Sequence, residues 1–264
     1  ASPAAGGPAS PAATATGATP GATASGLVAR ASVPVLCWHQ VREQRSTDSK
    51  NSRYELVIPP ANFAAQLDAI KAAGYTTITP EQYRAHIADG AALPDKPVLL
   101  SFDDGADNQA TTALPMVLER GMTAAWFIMT VVIDSPQKGW TTSAQITDLA
   151  ARGITIGSHT WDHHTVDKLS TAKDYQVQFV ESRRTLQKLS GQDVTAFCYP
   201  GGRWAKSALP HLADAGYTMA FQLRDTPVDP QAPLMTLRRQ IVVSEWTGAH
   251  LVARLGELAA SPNA

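Results

Sequence analysis

Val98-Leu99-Leu100-Ser101-Phe102-Asp103-Asp104-Gly105 is an apolar run that stops abruptly at two carboxylates and a glycine. Bounded by Pro97 and Gly105, it has the length and content of a strand covered on both faces. Such a strand delivers its acidic pair to a surface, where one aspartate can hold a metal while the other handles a proton. Asp-Asp-Gly is also ordinary turn chemistry. The choice between a site and a turn therefore rests on the rest of the chain.

From Val33 onward one rhythm recurs. At 70–77, 118–123, 149–155 and 213–218 a helical stretch runs into a glycine (Gly74, Gly121, Gly153, Gly216) and then at once into a strand. Each glycine sits where a helix ends in a left-handed residue. The rhythm predicts strands near 33–38, 75–78, 98–102, 123–130, 154–158, 195–199, 217–222 and 238–243. Helices are predicted near 60–73, 80–89, 108–119, 143–152, 171–190 and 205–215. Strands alternating with helices of this length pair in parallel through right-handed crossovers. The expected fold is α/β, a distorted TIM-like (β/α) barrel of seven to eight parallel strands. An open doubly wound sheet is the lesser expectation, because no dinucleotide-type glycine fingerprint marks a switch point.

Composition narrows the function. At 264 residues, 44% hydrophobic and 17% charged, the chain can bury a sizeable core. A net charge of −1 gives no electrostatic footprint for nucleic acid or an anionic membrane surface. No apolar run approaches the ~20 residues of a membrane span, and without a starting Met or signal segment the chain reads as already processed. Residues 1–30 are rich in Ala, Gly, Pro, Ser and Thr and lack any charge before Arg30, so a flexible linker is expected ahead of a catalytic domain at 31–260. Linkers of this kind join export or anchoring elements to domains acting outside the cell, so a secreted or envelope-associated monomer is expected. Two cysteines, Cys37 and Cys198, make no disulfide framework, and inside strand-like runs they read as small hydrophobes.

The polar residues converge on the scaffold. Predicted strands exit into His39, into Asp103 and Asp104, into Ser158-His159-Thr160-Trp161-Asp162-His163-His164, and into Tyr199-Pro200-Gly201-Gly202. In a parallel barrel these carboxyl ends share the face on which barrel enzymes build their sites. Independent turns would scatter His and Asp over entrances and helix faces, so the convergence favours a site at Asp103-Asp104. His159 and His163, four apart, can face one way across a turn of backbone. With one carboxylate they form a set that leaves coordination positions open for water and substrate. His164 competes with His163, and spacing does not separate them. Non-haem iron oxygenases use the same ligand set, but a second carboxylate beside the first supplies the base that hydrolysis needs.

Ser101-Phe102-Asp103-Asp104-Gly105, His159-Thr160-Trp161-Asp162-His163 and Phe197-Cys198-Tyr199-Pro200-Gly201-Gly202-Arg203 resemble the successive motifs of the polysaccharide deacetylases of carbohydrate esterase family 4. Val33-Pro34-Val35-Leu36-Cys37-Trp38-His39 resembles the opening strand of the bacterial branch that includes the exopolysaccharide deacetylases. The likeness covers about residues 33 to 243 in the family's order. It implies a divalent metal, zinc first with cobalt or nickel as alternatives, held by Asp104, His159 and His163. It implies Asp103 as the base that deprotonates metal-bound water, and Tyr199 as the backbone N–H donor to the oxyanion; Pro200 has no N–H to give. Thr160 and Asp162 stand as supports to these ligands, with Asp162 equally a turn residue.

The departures are specific. Many members carry an arginine just before the third motif's proline, where Cys198-Tyr199 stand here; Arg203 or Arg239 would have to reach in. The family's late histidine acid is missing. His250 reads as a surface residue of a late helix, and His39, closing the first strand, is the better acid. Among Trp38, Trp140, Trp161, Trp204 and Trp246, core packing is the ordinary role. Trp161 and Trp204, in motif loops, are expected to line a substrate groove together with Pro200. The stretch from Gln40 to Pro60 reads as an active-site loop or a mobile excursion. The expected activity is removal of N-acetyl groups from a polysaccharide or oligosaccharide containing N-acetylglucosamine. The alternatives are O-acetyl esterase action on acetylated xylan and a non-catalytic carbohydrate-binding relative.

Overall fold

The computed structural model describes residues 23–223 and 226–260. Its strands are β1 (Val35–Trp38), β2 (Gln40–Val41), β3 (Val57–Ile58), β4 (Thr76–Thr77), β5 (Pro97–Phe102), β6 (Ala125–Ile128), β7 (Thr155–Ser158), β8 (Ala196–Cys198), β9 (Met219–Phe221) and β10 (Gln240–Ile241). The main sheet is parallel, in the order β10-β1-β5-β6-β7-β8-β9, with β4 paired to the amino-terminal end of β5. The sheet curls, and its two ends meet at residues 237–241. There the Leu237 N–H donates to Ala220 O at 3.0 Å and the Gln222 N–H to Leu237 O at 2.8 Å, while Gln240 and Ile241 pair with Leu36 and Cys37. The barrel of seven to eight parallel strands forms as the rhythm predicts.

Alternation along each strand sorts the side chains into two layers. Val35, Leu99, Ala125, Phe127, Ala196, Cys198, Met219, Phe221 and Leu237 form the inner cluster. Leu36, Trp38, Leu100, Phe102, Trp126, Ile156, Phe197 and Tyr199 point outward and meet the helices. The outer layer is tied together by rings, with Phe102 stacked on Trp126 at 4.3 Å and on Trp38 at 5.8 Å. Trp38 is therefore a core residue, fully buried, with its Nε1–H donated to Gln66.

The helices follow local chemistry. Pro80–Asp89 and Ser143–Ala151 both start in capping boxes, Thr79 with Gln82 and Thr142 with Gln145. All four joint glycines take positive φ, from 68° at Gly121 to 95° at Gly216. Two expectations change in detail. Residues 1–22 of the expected linker lie outside the described residues, whereas Ala24–Arg30 is a helix capped by Thr23. Its Leu27 and Val28 pack beside the inner cluster, and the Arg30 Nε–H donates to Ile87 O at 2.7 Å. The segment after Gln40 contains β2 and β3, paired in parallel, and an Arg42–Asp48 ion pair at 2.8 Å. Among the described residues no helix is long and apolar enough to cross a membrane.

Inside the barrel Gly157 faces Phe127. A Cβ at Gly157 would sit within the van der Waals envelope of that ring, with Ala196 O 3.2 Å away on its other side. Gly157→Ala is expected to destabilise the protein by about 1–3 kcal/mol through overpacking. Urea denaturation of the two proteins measures the loss, and Phe127→Leu in the same chain should recover part of it.

Candidate active site

The chosen side chains meet at the carboxyl face of the barrel. Asp103 and Asp104 follow β5, His159 follows β7, His39 follows β1 and Pro200 follows β8. Asp104 Oδ1 lies 3.5 Å from Nε2 of both His159 and His163, and the three candidate ligand atoms are within 4.8 Å of one another. The His159 ring is buried, and its Nδ1 contacts Cys198 O at 2.9 Å. A carbonyl only accepts, so Nδ1 carries a proton, and in the neutral form of the ring Nε2 is the lone-pair nitrogen facing Asp104. Asp104 Oδ1 is buried with no hydrogen-bond partner among the described residues. Two imidazole nitrogens and an orphaned carboxylate oxygen facing one point are a donor set that fits a divalent cation.

Backbone in the left-handed region aims these groups. Asp104 (φ 76°), Thr160 (φ 67°) and His163 (φ 66°) are three of the five non-glycine residues with positive φ among the described residues. At Asp104 this breaks the strand alternation, so the two neighbouring carboxylates face one site. In the His159 loop the His163 N–H donates to Thr160 Oγ1 at 3.0 Å, which turns the ring inward. His163 and His164 are both exposed, but the His163 Nε2 lies 3.5 Å from Asp104 Oδ1 whereas the His164 N–H donates to Asp162 Oδ1, so the structure brings His163 to the second imidazole position. Asp162 also accepts from Gln178 Nε2 at 3.0 Å and braces the loop, leaving support of His159 to the Cys198 carbonyl.

Asp103 is buried and held by Arg239 through two hydrogen bonds, Nη1 to Oδ1 and Nη2 to Oδ2, each 2.7 Å. Arg239 is also buried; it donates to Ser101 Oγ and to Cys198 Sγ and lies over the Phe127 ring at 5.6 Å. Burial by itself raises the Asp103 carboxyl, but the Arg239 charge, with His159 and the paired hydrogen bonds, holds it well below the usual carboxylate range. For His159, burial lowers the ring and the Asp103 and Asp104 carboxylates raise it, with a net rise. The Cys37 and Cys198 thiols, free and buried, contact Asp103 Oδ2 at 3.6 and 3.4 Å. Burial keeps both thiols protonated, so they face the carboxylate as S–H groups. Of the two arginines considered for this region, Arg203 instead pairs with Asp167 at 2.6 Å near the surface.

Other expected residues divide. His39 has a ring nitrogen within 4.8 Å of an Asp103 carboxylate oxygen and of the Cys37 sulfur, and its Nδ1 is buried with no hydrogen-bond partner among the described residues. The Tyr199 N–H, expected at the oxyanion, donates to Phe221 O at 3.0 Å and belongs to the sheet. Its hydroxyl donates to Met235 O, so the residue is structural. Pro200 is buried, and the next N–H along the chain is that of Gly201 (φ 59°). Trp161 is 41% exposed beside His163, and Trp204 lines a cleft of about 470 Å³ with Asp167, Arg203 and Leu223. His250 lies away from the site, stacked on Trp246 at 5.0 Å. Sequence reasoning passed over Gln109, a buried amide that contacts the main chain of both His39 and Asp103. No motif marks it.

Removing Arg239 isolates a buried carboxylate. Arg239→Met should destabilise the protein by about 3–5 kcal/mol near neutral pH. Because the folded Asp103 pKa is depressed, the stabilisation it reports is present above the unfolded value, about 3.9, and is lost as pH falls below it. The gap between wild type and variant in urea titrations should therefore narrow below about pH 4.

A family model described as polysaccharide deacetylase matches residues 90–220. The chain is 30% identical over 219 residues to YxkH of Bacillus subtilis (strain 168), a protein named for the same family, covering 83% of this chain and 74% of that one. It is 25% identical over 231 residues to the poly-beta-1,6-N-acetyl-D-glucosamine N-deacetylase of Escherichia coli (strain K12), covering 71% of this chain and a third (33%) of that protein. In fold it is similar to the Streptococcus pyogenes deacetylase PplD, with a TM-score of 0.77 over 84% of this chain and 97% of that one, at 20% identity. A matching family model, a relative aligned over most of both chains and a shared barrel together mark the chain as belonging to the polysaccharide deacetylase family.

Proposed function

We propose that this chain is a metal-dependent hydrolase that removes N-acetyl groups from polysaccharide containing N-acetylglucosamine. The observation that carries the proposal is a buried, arginine-paired carboxylate, Asp103, set directly beside the Asp104, His159 and His163 donor set. The substrate class draws support from the E. coli relative, whose name states its action on a β-1,6-linked N-acetylglucosamine polymer.

Asp104, His159 and His163 would hold the ion, with zinc, cobalt and nickel all compatible with a set of two nitrogens and one oxygen. A divalent ion bound there supplies Lewis-acid polarisation of the acetyl carbonyl and lowers the pKa of a water toward neutrality. Asp103 takes the proton from the attacking water; a carboxylate held so far below neutrality accepts it only from an acidified donor, which couples the base to a loaded site. His39, with a ring nitrogen within 4.8 Å of the Asp103 carboxylate, gives a proton to the departing amine. The N–H of Gly201, the first after Pro200, is the proposed donor to the oxyanion, in place of the Tyr199 N–H. Trp161 offers an exposed aromatic face for a sugar ring at the rim.

Asp104→Asn should lose bound metal, measured by metal analysis after dialysis. Asp103→Asn should retain it while turnover of β-1,6 and β-1,4 N-acetylglucosamine oligomers falls by about a hundredfold or more. The reverse pattern means that the two roles are exchanged. Absence of acetate release from these oligomers and from acetylxylan, with zinc, cobalt or nickel loaded, would overturn the enzyme reading altogether.

A further inference from the structure

Gln109 is 1% exposed, and its side-chain amide does two things at once. Nε2 donates to the His39 carbonyl at 2.6 Å and also to the Asp103 carbonyl. The preceding residue, Asn108, accepts the Val41 N–H on its Oδ1 at 2.7 Å. Two consecutive side chains of the segment after the acidic pair therefore grip the main chain on either side of Gln40.

The grip falls where regular pairing stops. β1 and β5 run in register as far as Trp38 and Phe102, and one further rung joins the Asp103 N–H to Trp38 O at 3.0 Å. Past that rung the ladder no longer fixes the two chains, and it is there that His39 and Asp103 point their side chains into the site. A primary amide carries two N–H donors in one rigid plane, so it can span two carbonyls where a hydroxyl, with one proton, cannot. The orientation of the amide is also determined. Its Oε1 is buried without a partner among the described residues, and a flipped amide would set that oxygen against two carbonyl oxygens.

We infer that Gln109 is a positioning residue that ties the His39 end of β1 to the Asp103 end of β5 and sets the relation between proton donor and proton acceptor. The inference rests on the reading of His39 as donor to the leaving amine. Asp103 has a second, independent hold in its two bonds from Arg239. His39 Nδ1 has none among the described residues, so the direction of that ring depends on its main chain. Loss of Gln109 therefore falls on the acid step. In that step the C–N bond breaks, its electron pair stays on nitrogen and takes the His39 proton, and acetate departs.

The experiment compares Gln109→Met, Gln109→Glu and His39→Ala, each zinc-loaded, on two substrates. N-acetylglucosamine oligomers have an amine leaving group that must be protonated; p-nitrophenyl acetate has one that leaves without a proton. Gln109→Met, of similar volume and without donors, should lower kcat on the oligomers about 10- to 100-fold with KM unchanged. Ester hydrolysis, zinc content and the circular dichroism spectrum should stay at the wild-type level. Gln109→Glu, which turns two donors into acceptors facing carbonyl oxygens, should be worse on the oligomers; if it fails to fold, the Met variant still decides. His39→Ala should show the same selective loss. Selective loss in His39→Ala but not in Gln109→Met overturns the role of Gln109 alone. Equal effects of His39→Ala on both substrates, or none, overturn the reading of His39 and this inference with it. Equal losses on both substrates in Gln109→Met would make the residue merely structural.

Discussion

A carboxylate and a guanidinium lie side by side inside the barrel, both out of water, and the upper interior is arranged around them. An ion pair in this setting is tolerable only if its remaining hydrogen-bonding capacity is met. Arg239 meets most of this through its two Nη groups, with Asp103, Ser101 Oγ and Cys198 Sγ as partners and Phe127 under its plane, and its buried Nε has no hydrogen-bond partner among the described residues. Ser101 passes its own proton to Leu36 O at 2.7 Å, so the network ends in the sheet itself. The inward positions around the pair are small or soft: Cys37, Ser101, Gly157 and Cys198. In the strand ahead of the proline this chain has a thiol, Cys198, and the guanidinium arrives from Arg239, just ahead of β10.

The pair also explains how two adjacent aspartates come to differ. Asp103 continues the inward row of β5 and receives Arg239. Asp104 would point away had its backbone stayed extended, but its left-handed conformation swings it toward His159 and His163, where its Oδ1 has no hydrogen-bond donor among the described residues. One residue is fully satisfied by the protein and the other is left open. That asymmetry is a property of backbone geometry, since the side chains are identical.

Much of this was legible in the sequence. The helix–glycine–strand rhythm gave the barrel because a left-handed glycine at a helix end is a local requirement. Asp104, His159 and His163 were legible because each closely follows the end of a strand. Local rules failed where the partner is remote. Arg239 and Arg203 were equal candidates, because the choice depends on barrel closure across 136 residues; inward alternation from Leu237 is the one cue that favoured Arg239. The Tyr199 N–H was assigned to chemistry by the family resemblance, and no local signal reveals that it is spent on Phe221 O, on another strand. Trp38 takes the core role expected of it, because strand parity turns it toward the helices. Gln109 left no trace, since a single glutamine at the start of a helical segment has no distinguishing context.

The segment that closes the barrel, residues 237–241, is divided. Its first residue, Leu237, bonds to β9 and its last two, Gln240 and Ile241, bond to β1, so Arg239 enters the interior from between two separate anchor points. Contacts so distant along the chain carry the largest loop-closure cost and form late. Asp104, His159 and His163 follow strands that precede residue 239 in the chain, whereas Asp103 has its cation only where residues 237–241 are docked. The proton-transfer half of the site thus matures only with docking of the last strand, which makes closure of the fold and completion of the site the same event.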